Sequence, residues 1–126
     1  NLKSISTEDK YQRILHSFGQ SQPDSIRTFQ SDFNHAPDLV SYPENENDLI
    51  TLYDFCEKSN VAIIPYGAGS SVVGGVTSDV GSKYNGTISV NLSKFNKVLE
   101  VDDVSLSAKI QGGIRGPDLE RSLKNY

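Results

Sequence analysis

The stretch Ile63-Ile64-Pro65-Tyr66-Gly67-Ala68-Gly69-Ser70-Ser71-Val72-Val73-Gly74-Gly75 decides how the rest of the chain is read. It starts as an apolar, β-branched run, reaches a proline, and continues as a loop with four glycines and two serines. Glycine reaches positive φ and lets a ligand approach the backbone where a Cβ would block it. Successive backbone N–H groups in such a loop form a concave anion site, and serine hydroxyls add hydrogen bonds. The same composition also suits a long flexible connection between two strands. Glycine chemistry alone leaves both readings open.

Working backwards, Asn60 is suited to close a helix in the left-handed conformation. Asn45 and Asp48 form a capping-box arrangement at the start of that helix. Leu49, Leu52, Tyr53 and Cys56 give it one apolar stripe, so the pattern predicts a helix over 46–59. Asp38-Leu39-Val40-Ser41-Tyr42 reads as a short strand ended by Pro43. Strand 39–42, helix 46–59 and strand 61–64 form a β-α-β unit, parallel if both strands share a sheet. The glycine loop then leaves the carboxyl end of the second strand, where ligands usually bind in such sheets.

Upstream, Ser6 and Thr7 before Glu8 and Asp9 signal a helix start. Tyr11, Ile14, Leu15 and Phe18 have helical spacing, and Gly19 is expected to stop that helix. Residues 20–38, rich in Pro23, Asp24, Ser25, Asp32, Asn34 and Pro37, read as irregular. Downstream, 77–85 is polar, and 87–91 and 97–101 read as strands. Leu106, Ala108 and Ile110 alternate with polar residues as a half-buried strand would. Gly116-Pro117-Asp118 opens a last helix, with proline in its first turn. The fold class is α+β: a β-α-β unit plus a mixed sheet of short strands flanked by helices. The expected organisation is an N-terminal helix and irregular lead-in over 1–38 followed by the β-α-β unit and mixed sheet over 39–126.

Composition limits the function. A chain of 126 residues suits one domain, and 36% apolar with 22% charged residues suits a soluble globular one. The net charge of −4 with no basic patch argues against nucleic acid as a partner. No apolar run is long enough for a membrane span. Cys56 is the only cysteine, which excludes an internal disulfide and a cysteine-cluster metal site. On its apolar stripe it reads as a core residue. His16 and His35 have no acid or cysteine partner evident in sequence and read as structural or surface groups. Asn85-Gly86-Thr87 and Asn91-Leu92-Ser93 match the glycosylation pattern by chance.

Two common phosphate fingerprints fail at named residues. A P-loop needs Lys after the second glycine, and Gly75 stands there. A dinucleotide fingerprint needs a third glycine opening a helix, and Val72 stands there. What the stretch resembles instead is the FAD-binding domain of the vanillyl-alcohol oxidase and p-cresol methylhydroxylase type. Ile88-Ser89-Val90-Asn91-Leu92, Asn96-Lys97-Val98-Leu99-Glu100-Val101-Asp102, Gly112-Gly113 and Leu119-Glu120 follow in the order of that family. His16-Ser17, Gln20-Ser21 and Ala36-Pro37-Asp38-Leu39-Val40 resemble the lead-in of its alkyldihydroxyacetonephosphate synthase-like branch, with the D-lactate and glycolate dehydrogenases close by.

The resemblance implies that the loop wraps the FAD pyrophosphate, with Tyr66, Gly67, Ala68, Gly69, Ser70, Ser71 and Val72 as the contacts. Some relatives attach the flavin through a histidine in or beside this loop. No histidine lies between residues 36 and 126, so non-covalent FAD is expected. The resemblance also implies a second subdomain and a substrate domain beyond this sequence. Those would carry the catalytic residues and the small-molecule substrate, and this piece alone would bind FAD weakly and be inactive. A dimer through the face meant for the missing part is then expected, and the protein is taken as soluble and intracellular. The competing expectation is a self-contained α+β binding or interaction module without catalysis.

Overall fold

The computed structural model describes residues 2–124 and 126. Two short elements, α1 (Leu2–Ile5) and β1 (Ser6–Thr7), lead into α2 (Lys10–Leu15) and α3 (Gln22–Phe29). Then come β2 (Leu39–Ser41), α4 (Glu46–Ser59), β3 (Ala62–Tyr66), a 3-10 turn (Gly81–Lys83) and β4 (Thr87–Asn91). A hairpin of β5 (Val98–Asp102) and β6 (Ser107–Ile110) precedes α5 (Gly116–Leu123).

The main sheet has the order β1-β2-β4-β3. Strand β4 runs parallel to both β2 and β3 and lies between them, while β1 is antiparallel to β2. The two strands of the expected β-α-β unit are therefore parallel and share a sheet but are not neighbours. Strand β3 extends through Pro65 to Tyr66 and does not turn at the proline. It is an edge strand, and an edge can accept a residue with no N–H on its outward side.

Helix α4 matches its expected limits. Asn45 accepts from the Asp48 N–H at 3.0 Å, and Asp48 accepts from the Glu44 N–H at 2.9 Å, one residue further back than in a standard capping box. Asn60 closes the helix at φ 53° in the left-handed region. Its buried side, Leu52 and Cys56, packs on Ile88 and Val90 of β4. Each such side chain taken out of water contributes roughly 2 kcal/mol. On the opposite face of the sheet, the register aligns Val40, Ser89 and Ile64, and two residues further along it aligns Asn91 with Tyr66.

Three expectations need correction. Helix α2 ends at Leu15 with His16 as its cap, and its N-cap is Asp9. The stretch 20–38 holds α3, started by a Ser21–Asp24 capping box with Pro23 in its first turn. Pro23 and Asp24 act here as helix-starting groups, since proline and short polar side chains are favoured at N-termini for the same reason they are favoured in turns, while 30–38 is irregular as read, with Asp32 accepting from Asn34 N–H at 3.3 Å. The alternating stretch after Ser105 is not half-buried: β6 is exposed throughout and pairs only with β5, with Leu106 in the turn at φ 52°. Asp102 shapes that turn by accepting from Val104 N–H at 2.9 Å and from Ser105 Oγ at 2.7 Å.

Candidate functional site: a glycine loop held from beneath

The loop leaves β3 at Tyr66, at the carboxyl ends of two parallel strands. Leu92 N–H donates to Tyr66 O at 2.9 Å, and this is the last bond between the β3 and β4 segments before they part. From Gly67 through Val72, no backbone N–H donates to a protein acceptor among the described residues. Gly67 lies against Gly112, where a Cβ would come to 3.3 Å from the carbonyl oxygen. Ala68 and Ser70 are exposed, and Gly69 is buried at φ +69°. Val72 is exposed, as is Val73 beside it. Ser71 Oγ accepts from Gly75 N–H at 2.9 Å and from Val73 N–H at 3.4 Å. The hydroxyl thus curls the loop back on itself and retains its own proton to donate. Residues 72–86 contain only the 3-10 turn, in line with the absence of a helix-opening fingerprint.

The loop rests on the lead-in segment. Gln20 N–H donates to Ser71 O at 2.7 Å, and a Cβ on Gly19 would collide with that same carbonyl. The Tyr66 ring lies beneath Gly69, where an added Cβ would strike the phenol oxygen. Tyr66 Oη in turn donates to Leu15 O at 3.1 Å, and its ring packs on His16 with centroids 4.4 Å apart. His16 is 4% exposed and bonds to Asn91 at the end of β4. On the other flank, Gly113 N–H donates to Phe95 O at 2.8 Å, and a Cβ at Gly113 would run into Leu92 O. The loop is therefore flanked backbone against backbone, an approach that requires glycine at 19 and 113 and leaves only tight room for a Cβ at 67.

No acidic side chain lies between Tyr66 and Ser78. Burial pushes the Tyr66 phenol up, while the Arg115 guanidinium opposes this. A diphosphate needs several N–H donors that the protein has not already used, and this loop offers them.

The chain matches the family described as FAD binding domain over residues 37–126. It belongs to that family. The FAD-binding chain is 40% identical over 116 residues to alkyldihydroxyacetonephosphate synthase of Dictyostelium discoideum, a match covering 92% of this chain and 19% of that protein. It is 26% identical over 102 residues to the mitochondrial D-lactate dehydrogenase (cytochrome) of Kluyveromyces lactis, covering 80% of this chain and 17% of that one. A solved structure of alkyldihydroxyacetonephosphate synthase superposes with a TM-score of 0.85 at 38% identity, over 99% of this chain and 23% of that one. The chain thus spans about a fifth of the length of the relatives it matches. Both the family and the α+β fold agree with the sequence reading, and FAD is the cofactor.

Among the described residues no helix is long and apolar enough to cross a membrane, and no group of three His, Cys, Asp or Glu is placed to hold a metal. Cys56 is buried with its thiol pushed up by desolvation, as a core residue is. The residues that sequence reasoning missed are His16, Gly19 and Asn91. His16 bonds Asn91, 75 residues away, and Gly19 lies against Ser71 of the loop, and no local pattern encodes such contacts.

Proposed function

We propose that Tyr66, Gly67, Ala68, Gly69, Ser70, Ser71 and Val72 hold the pyrophosphate of FAD non-covalently. The observation that carries this is the run of backbone N–H groups from Gly67 to Val72 that find no protein acceptor, placed at the carboxyl ends of β3 and β4. The backbone provides most of the contacts, with the Ser70 and Ser71 hydroxyls in reach. Both histidines are unsuited to a covalent bond with the flavin. His16 has both ring nitrogens in hydrogen bonds, and His35 sits beside Asp79 near the opposite end of the sheet.

The complete protein is an FAD-linked enzyme, closer to alkyldihydroxyacetonephosphate synthase than to the hydroxy-acid dehydrogenases, as the higher identity to the former supports. FAD supplies the electron chemistry, and this chain positions it and neutralises its phosphates. The small-molecule substrate and the residues that face it belong to parts of the protein outside these residues. Exposed Leu99, Val104, Leu106 and Ile110 on the β5–β6 hairpin favour a packing surface over a finished module. The organisation that follows is a lead-in over 1–38 and a first FAD-binding subdomain over 39–126.

The test is the visible spectrum of the full-length natural polypeptide after purification. Flavin absorbance that is released on denaturation supports non-covalent FAD. A preparation that neither carries flavin nor takes it up when supplied overturns the reading.

A further inference from the structure

Chemistry dictates the donors in three hydrogen bonds around His16. The Ser93 backbone N–H can only donate, and it bonds Asn91 Oδ1 at 2.9 Å. That leaves the Asn91 amide nitrogen facing His16 Nε2 at 2.8 Å, so the imidazole accepts there. On the other side the Gln12 carbonyl can only accept, so His16 Nδ1 carries the proton in their 2.7 Å bond. The ring is neutral with a defined tautomer. A second proton, on Nε2, would set two donors against each other at the end of β4.

Both strand ends that open the cradle meet at this ring. Asn91 pairs with Tyr66 across β4 and β3, and the Tyr66 ring packs on the imidazole while supporting Gly69. We infer that His16 is a positioning residue for the FAD cradle, holding Asn91 and Tyr66 in place only while its ring is neutral. The inference rests on the cradle assignment above. The other groups facing the ring are Tyr42, edge-on at 6.0 Å from the exit of β2, and Tyr66 from β3. Arg13, on the helix that His16 caps, points its guanidinium at Pro37 O at 2.6 Å. Among the described residues no carboxylate bonds to the ring; the helix C-terminus that His16 caps, and Asp9, whose charge reaches Tyr42, favour a positive ring, but neither replaces the bond that a protonated Nε2 loses to Asn91. Burial accordingly pushes the His16 pKa down, offset in part by the Gln12 carbonyl.

The experiment is FAD affinity of the full-length natural polypeptide, read by flavin fluorescence at pH about 8 and about 5.5, on either side of the ordinary histidine range. The wild type should bind about threefold or more weakly at the acid pH, the signature of proton binding coupled to ligand release. In His16→Gln the amide oxygen can accept from Asn91 but takes no proton, so, whatever affinity the variant has at pH about 8, the further loss at pH about 5.5 should disappear. An acid loss in His16→Gln equal to that of the wild type overturns the inference, as does a wild type with no acid loss. Should His16→Gln fail to fold, Asn91→Asp provides the second arm. A carboxylate there accepts from a protonated ring, so the acid loss should vanish or reverse, and an unchanged loss overturns the inference. Gly69→Val separates the two readings. If it retains FAD at both pH values, the cradle assignment fails. If it loses FAD while His16→Gln keeps the wild-type acid loss, only the role of His16 fails.

Discussion

Gly69 lies directly over the phenol ring of Tyr66, so close that a Cβ on the glycine would overlap the phenol oxygen. At φ +69° the same position also disfavours any L side chain. Steric room and backbone conformation therefore impose the same residue. Gly69→Val should reduce the FAD content of the purified full-length polypeptide markedly, read as the ratio of flavin to protein absorbance. Unchanged flavin content would show that this loop is not the cradle.

Gly19 makes the second close approach, against Ser71 O, which its neighbour Gln20 anchors at 2.7 Å. Gly19→Ala should push the loop off the lead-in and lose that bond, costing about 1–3 kcal/mol of stability. Urea denaturation followed by circular dichroism measures it. A midpoint within error of the wild type would mean that the lead-in can shift at no cost.

The His16 pKa is lowered by burial, so the unfolded chain takes up a proton before the folded one does. Stability from this group is thus fully present above its ordinary value near 6.5. It is lost progressively as pH falls from there towards the lowered folded value. Denaturation midpoints should fall with acid through that window in the wild type, and less so in His16→Gln. Parallel pH profiles would assign the acid sensitivity to other groups.

Leu52 is 1% exposed between α4 and β4. Leu52→Ala should leave a cavity at the centre of the core and cost about 2–5 kcal/mol, by the same denaturation measurement. Cys56, 2% exposed on the same stripe, should react with a thiol reagent only on the timescale of unfolding. Rapid labelling in the native state would mean that α4 opens away from the sheet.

Local chemistry made several parts of this chain legible in the sequence. The cap residues Asn45 and Asn60 and the stripe of Leu52 and Cys56 defined α4 over 46–59, because capping and helical periodicity act within a few residues. The β-branched runs marked β3 and β4, and the glycine spacing of the loop ruled out two other phosphate sites by Gly75 and Val72. Pro23 and Asp24 read as turn formers but, with Ser21 as N-cap, they start α3, since the same side-chain hydrogen bonds serve turns and helix starts. Leu106, Ala108 and Ile110 alternated as a buried face would, but burial depends on what packs over a strand, and alternation carries no information about that.

The sequence by itself determined the loop, its glycines and its place after a strand, because those are properties of adjacent residues. Only the tertiary structure decided that β4 would lie between β2 and β3, and that His16 would bond Asn91, 75 residues away, beneath the loop. Strand order and such long-range bonds are set by which surfaces are buried together when the chain closes on itself, and the order of residues along the chain does not state it. For the glycine loop, the sequence supplied the N–H donors, and the fold holds them in place with a neutral imidazole and a phenol ring.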